Sequence, residues 1–111
     1  MEGCFMRFYL QENQRCHGRP AWEWLLEEAN RLGVRGGSAF RAMAGFGHRH
    51  HLTEEHFFEL AGQVAVEVEF VVTEAESAML ISLLQRENLR VFYAKVPATF
   101  GLINPDASEL A

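Results

Sequence analysis

The chain has 111 residues, 49% of them hydrophobic and 13 aromatic, which is enough to fill the core of one domain and excludes disordered and fibrous classes. Its formal charge of −5 divides unevenly, with seven Arg and five Glu in residues 1–51 against three bases and ten acids in residues 52–111. Neither half holds the Lys/Arg cluster that drives counterion release from a phosphate backbone, so nucleic-acid binding is disfavoured. No apolar run reaches the ~18 residues of a bilayer span, and the opening MEGCFMRFYL lacks a basic region followed by a cleavable apolar segment. The expectation is one domain over residues 1–111, cytoplasmic, with no direct membrane insertion. Cys4 and Cys16 fit neither a CxxC pair nor a secreted disulfide scaffold, and read as unpaired structural thiols.

Cys4 to Leu10 alternates with period two, a strand with Cys4, Met6, Phe8 and Leu10 on one face and Phe5, Arg7 and Tyr9 on the other. Pro20 suits a helix start, and a helix to about Leu32 carries an inward stripe of Trp22, Leu25, Leu26, Ala29 and Leu32 before the C-terminal Gly33. Ser38 to Phe46 reads as a second strand, with Phe40, Ala42, Ala44 and Phe46 inward and Arg41 and Met43 outward. From Gly47 to Gln63 the pattern is a long loop holding one short helix, with Thr53 as N-cap, Glu54 and Glu55 in its first turn, and Phe57, Phe58 and Leu60 following. Val64 to Val72 alternates cleanly, Glu67 and Glu69 opposite the valines. The box Thr73-Glu74-Ala75-Glu76 then opens a helix with Met79, Leu80, Leu83 and Leu84 inward, stopped at Asn88. Arg90 to Val96 forms the last strand, Pro97 ends its ladder, and an irregular tail follows.

The order strand, helix, strand, strand, helix, strand, joined by right-handed crossovers, predicts an α+β fold. It is the ferredoxin-like βαββαβ sandwich, a four-stranded antiparallel sheet with two helices on one face. The odd-numbered strand residues, Phe5, Tyr9, Met43, Val71, Val91 and Tyr93, are too apolar for a solvated outer face, so a partner surface is expected to cover them. Among them stand Arg7, Arg41, Glu67, Glu69 and Lys95, and with the third strand between the first and second its glutamates are expected to face both arginines. The predicted self-interface is Arg7, Tyr9, Arg41, Met43, Glu67, Glu69, Tyr93 and Lys95.

The segments FYLQENQRCHGRPAWEWLLEEANRLGVRGGSAF, GFGHRHHL, HFFEL and VFYAKVPATFGLI together resemble a small bacterial and archaeal family of PII-like signalling proteins of unassigned function, over about residues 3–103. The resemblance implies a ferredoxin-like homotrimer whose sheets face the threefold centre, with an adenine nucleotide (AMP, ADP or ATP) in clefts between subunits and a regulated protein as partner. It assigns the base of the long loop between the second and third strands, Ala44-Gly45-Phe46-Gly47-His48-Arg49, to ligand phosphates. Gly45 and Gly47 would allow backbone N–H groups to approach an anion, and His48 and Arg49 would add charge. The chain departs from PII proteins where these carry a glycine- and base-rich phosphate loop before the last strand. Only Glu87-Asn88-Leu89-Arg90 stands there, leaving Arg90, with Arg86 and Lys95, as partial substitutes.

Four histidines, His48, His50, His51 and His56, fall within nine residues, and imidazoles at i and i+2 of a loop suit zinc or copper. This is the alternative function, a metal-binding trimer, and the PII-like fold also resembles trimeric copper-tolerance proteins. No HExxH or CxxC accompanies the cluster, and a solvated loop or pairing with Glu54, Glu55 and Glu59 accounts for it more simply than a metal does. Cys16 and His17 are adjacent but have no third orienting group in sequence, and the carboxylate pairs belong to helix faces, a helix start and the proposed interface, so no enzyme is expected.

Overall fold

The computed structural model describes residues 1–46, 53–54 and 64–109. The chain runs β1 (Glu2–Gln11), β2 (Arg15–Cys16), β3 (Arg19–Pro20), α1 (Ala21–Arg31), β4 (Gly37–Arg41), β5 (Ala44–Gly45), β6 (Thr53–Glu54), β7 (Ala65–Val72), α2 (Glu74–Arg86) and β8 (Phe92–Thr99), with a 3-10 turn at Ala107–Glu109. Four strands form an antiparallel sheet in the order β4-β7-β1-β8, with both crossovers helical, which is the α+β ferredoxin-like arrangement expected from the element order.

The two central strands build the core because their even-numbered side chains from Cys4 to Leu10 and from Val66 to Val72 are all apolar. Cys4, Met6, Phe8 and Leu10 of β1 and Val66, Val68, Phe70 and Val72 of β7 are buried against Trp24, Leu25 and Ala29 of α1 and Leu80, Leu83 and Leu84 of α2. Burying each large side chain of this set contributes on the order of 1.5–3 kcal/mol. Local signals set the helix ends. The Thr73 hydroxyl accepts from the Glu76 N–H at 3.2 Å while the Glu76 carboxylate accepts from the Thr73 N–H at 2.9 Å, a complete capping box. Gly33 at φ +89° and Asn88 at φ +54° adopt the left-handed conformation that ends each helix. Both cysteines are free and buried, as the spacing predicts. No helix among the described residues is long and apolar enough to cross a membrane.

Several expectations need correction. In α1 the buried tryptophan is Trp24 rather than Trp22, which is half-buried, and Leu32 lies exposed at the C-cap; in α2 Met79 is exposed and Ser77 takes its place in the buried row. The second strand stops at Arg41, and the chain turns so that Ala44 pairs with Glu54 and Gly45 with Thr53. Thr53 therefore belongs to a two-residue ladder, and the helix predicted to follow it lies outside the described residues. The last strand begins at Phe92, so Val91 packs against the core instead of the outer face. It continues past Pro97 to Thr99, since β8 is an edge strand whose proline needs no outward partner for its missing N–H. Backbone bonds between Met1 and Phe100, each 2.9 Å, extend this ladder further.

The largest correction concerns the faces of the two edge strands, which are the reverse of those predicted. Residues directly opposite in an antiparallel pair share a face. Ala39 lies opposite the inward Val68 and Arg41 opposite the inward Val66, whereas Phe40 lies opposite Glu67 on the open face. Likewise Tyr93 lies opposite Phe8 and Lys95 opposite Met6, so Phe92, Ala94 and Val96 join Tyr9, Arg7 and Phe5 on the open face. Close helix packing explains the choice on β4. A Cβ on Gly37 would come within 2.5 Å of the Phe70 ring and 3.1 Å of Leu26, so the helix-side column of this strand takes only small residues near α1 and the bulky Phe40 turns outward.

Candidate functional site

The open face of the sheet carries an aromatic and aliphatic surface around one buried-edge ion pair. Phe40 is 53% exposed, Val71 39%, Phe92 73% and Val96 53%, and the Tyr9 and Phe92 rings stack across β1 and β8 with centroids 5.5 Å apart. At the centre, Arg7 donates from Nη2 to Glu69 Oε1 at 2.9 Å, and its guanidinium lies 5.8 Å from the Phe5 ring centroid. Hydrogen bonds to Tyr9 and Glu69 push the Arg7 guanidinium up, so its charge is permanent. Arg7 Nε is buried with no acceptor among the described residues.

Of the predicted interface residues, the structure brings Arg7, Tyr9, Glu67 and Glu69 together on this face. Arg41, Tyr93 and Lys95 are not part of it. Arg41 lies on the helix-side face and donates to Glu12 Oε2 at 2.9 Å, which replaces the predicted contact with Glu67 and Glu69. Met43 is exposed in the bend after β4, outside any strand. The Tyr93 ring stands 6.2 Å from the Phe8 ring, and Lys95 donates to Glu74 at the start of α2 at 2.7 Å, an interaction that raises its pKa. A strand with apolar groups on both faces offers two phases to a period-two pattern, and only pairing with β1 and β7 chooses between them.

Of the predicted ligand residues, Gly45 is half-buried in the β5–β6 ladder. Its φ is outside the left-handed region and a Cβ there would meet nothing within 4 Å, so the positive-φ role expected for it is not used. The Arg90 carbonyl accepts from Gln14 Nε2 at 3.2 Å, joining the segment before β8 to the turn after β1. Gly47, His48, Arg49, His50, His51 and His56 lie outside the described residues. Clefts in the described part include one of about 330 Å³ beside Leu32, Met79, Leu83 and Arg86 and one of about 210 Å³ beside Leu26, Val34, Arg35 and Phe70. They sit at or below the small end of the 300–1,000 Å³ usual for small-molecule sites.

Sequence reading missed a second cluster. The stretch before α1 is a β2–β3 hairpin with a two-residue turn, His17 at φ +52° and Gly18 at φ +77°, the double positive φ of a type I′ turn. It seats Cys16 inward and turns His17 toward α2, where Glu87 forms the C-cap. His17 Nε2 lies 2.8 Å from Glu87 Oε1, Cys16 Sγ lies 3.9 Å from the same oxygen, and the His17 ring is 6.0 Å from that of Trp24. Burial, then the Glu87 carboxylate, push the Cys16 thiol up, so it stays protonated and is a poor nucleophile. The His-Gly dipeptide signals the turn, but nothing in sequence connects it with Glu87.

A ferredoxin-like α+β sheet with an uncovered apolar face and a long connection between its second and third strands defines a PII-like architecture. The chain belongs to the DUF190 family, described as Uncharacterized ACR, COG1993, which it matches over residues 3–91. It is 32% identical over 69 residues to a UPF0166 protein of Aquifex aeolicus strain VF5; the match spans 62% of this chain and 66% of that protein, just under two thirds of its length. Its fold superposes with a TM-score of 0.58 on a crystal structure from Thermus thermophilus, provisionally described as a PII-like signalling protein, at 19% identity and covering 87% of this chain and 86% of that one.

Proposed function

We propose that this chain is a non-enzymatic, PII-like regulatory protein that assembles as a homotrimer and senses an adenine nucleotide in the clefts between subunits. The observation that carries the reading is the open sheet face. Four exposed apolar side chains from three strands surround a fixed Arg7–Glu69 pair, a surface of the kind that marks an interface rather than a solvated sheet. The interface set is then Phe5, Arg7, Tyr9, Phe40, Glu67, Glu69, Phe92 and Val96. The resemblance to PII-like signalling proteins supports the assembly, and the modest volumes of the two clefts described above fit a ligand held between chains. The responsive element is the segment from Gly47 to Gln63, within which Thr53 and Glu54 pair with Gly45 and Ala44; Gly47, His48 and Arg49 follow Gly45 in sequence, and Arg90 is the remaining basic candidate.

Calorimetry with AMP, ADP, ATP and cyclic nucleotides tests the ligand, and absence of binding by all of them at millimolar concentration rejects it. The density of imidazoles favours a second reading, a trimer binding zinc or copper through His48, His50, His51 and His56. Titration of Zn²⁺ and Cu²⁺ into wild type and a His48/His50/His51→Ala variant decides it, since equal weak uptake by both proteins removes that reading.

A further inference from the structure

We propose that Cys16, His17 and Glu87 form a zinc site that clamps the β2–β3 hairpin to the C-terminal end of α2. Among the described residues these three bring one thiol sulfur, one imidazole nitrogen and one carboxylate oxygen within 4.8 Å of one another. Tetrahedral zinc, with bonds of about 2.3 Å to sulfur and 2.0 Å to nitrogen or oxygen, sets its ligand atoms about 3.3–3.5 Å apart. The observed 2.8 Å between His17 Nε2 and Glu87 Oε1 and 3.9 Å between Cys16 Sγ and Glu87 Oε1 bracket those values, and the sulfur and the imidazole nitrogen are also within 4.8 Å, so side-chain rotation is what must bring the three donors onto one ion.

The donor set is soft enough for zinc and carries the right charge. Thiolate and carboxylate together offset Zn²⁺, and the neutral imidazole adds none. On binding, the Cys16 sulfur exchanges its proton, released to solvent, for the metal, and no oxidant or reductant is needed. Arg19, a cation that acts on the Cys16 thiol, is held in an ion pair with Glu27 of α1, which draws its charge toward the helix. His17 and Glu87 are partly exposed, leaving an entry path and a fourth position for water. The two sides of the site are about 70 residues apart in sequence, so the ion would close a long loop and stabilise the packing of hairpin on helix.

The proposal uses none of His48, His50, His51 and His56 and does not rest on the nucleotide reading, and it is tested by Co²⁺ titration of the reduced full chain. The expected result is one cobalt per chain with a thiolate-to-metal charge-transfer band that persists in a His48/His50/His51/His56→Ala variant and disappears in Cys16→Ser. Glu87→Gln, which keeps a group able to bond His17, is expected to weaken cobalt binding by about tenfold or more. In thermal melts at a hundredfold excess over its Kd, Zn²⁺ should raise the Tm of wild type by roughly 10 °C and leave Cys16→Ser unchanged. Circular dichroism confirms that each variant is folded. Cobalt uptake without a charge-transfer band, or uptake that vanishes with the four loop histidines, would overturn the proposal and leave a hydrogen-bonded clip only.

Discussion

Truncation of Phe92 tests the open-face interface most directly. Its ring is 73% exposed in the single chain and touches chiefly Tyr9 on the same face. With about 200 Å² for a full phenylalanine, covering this residue removes about 150 Å² from water, worth about 3–4 kcal/mol at ~25 cal/mol per Å². Phe92→Ala keeps only the Cβ share of that, so each subunit should lose about 3 kcal/mol of association energy, or roughly a hundredfold in the equilibrium. The cost to the isolated subunit is confined to the ring pair with Tyr9, about 0.5–1.5 kcal/mol. Sedimentation velocity at micromolar concentration should show a wild-type trimer and a largely dissociated, still folded Phe92→Ala protein. Phe8→Ala, by contrast, removes a ring that is 1% exposed and should cost about 3–5 kcal/mol of folding stability. A wild-type monomer, or a Phe92→Ala protein that dissociates at the same concentration as wild type, would refute the reasoning.

Gly3→Ala would put a Cβ 2.1 Å from the Val72 carbonyl oxygen, a backbone atom that cannot rotate away, so it should destabilise by at least about 2 kcal/mol in a thermal melt. Thr73→Ala removes the capping box and should cost about 1 kcal/mol, seen as a fall in Tm of roughly 4 °C. Ser77 is 1% exposed and its hydroxyl has no partner among the described residues, so Ser77→Ala should leave stability unchanged or raise it by up to about 1 kcal/mol in urea denaturation. Arg41→Glu should set like charge against Glu12 on the helix-side face and leave the sedimentation of the trimer unaltered; a dissociated Arg41→Glu protein would restore Arg41 to the interface.

What the sequence determined by itself was whatever rests on neighbours within a few positions. The period-two alternation of β1 and β7, the stripe of α2 below its Thr73-x-x-Glu76 box, and the stops at Gly33 and Asn88 are local patterns with one favourable solution each, and together they require the βαββαβ order. The central strands had unambiguous faces because four apolar side chains alternate on one side of each, Cys4 to Leu10 on β1 opposite Arg7 and Val66 to Val72 on β7 opposite Glu67 and Glu69. Tertiary structure decided the rest. The edge strands Gly37–Arg41 and Phe92–Thr99 are apolar on both sides, so their faces follow from hydrogen-bond register with β7 and β1 and from the tight space between Gly37 and Phe70. That choice moved Phe40, Phe92 and Val96 onto the open face and took Arg41, Tyr93 and Lys95 off it. The convergence of Cys16 and His17 on Glu87 had no sequence signature for the same reason: a type I′ turn and a helix C-cap can each be read locally, but their contact across 70 positions exists only once the sheet has brought the hairpin beside α2.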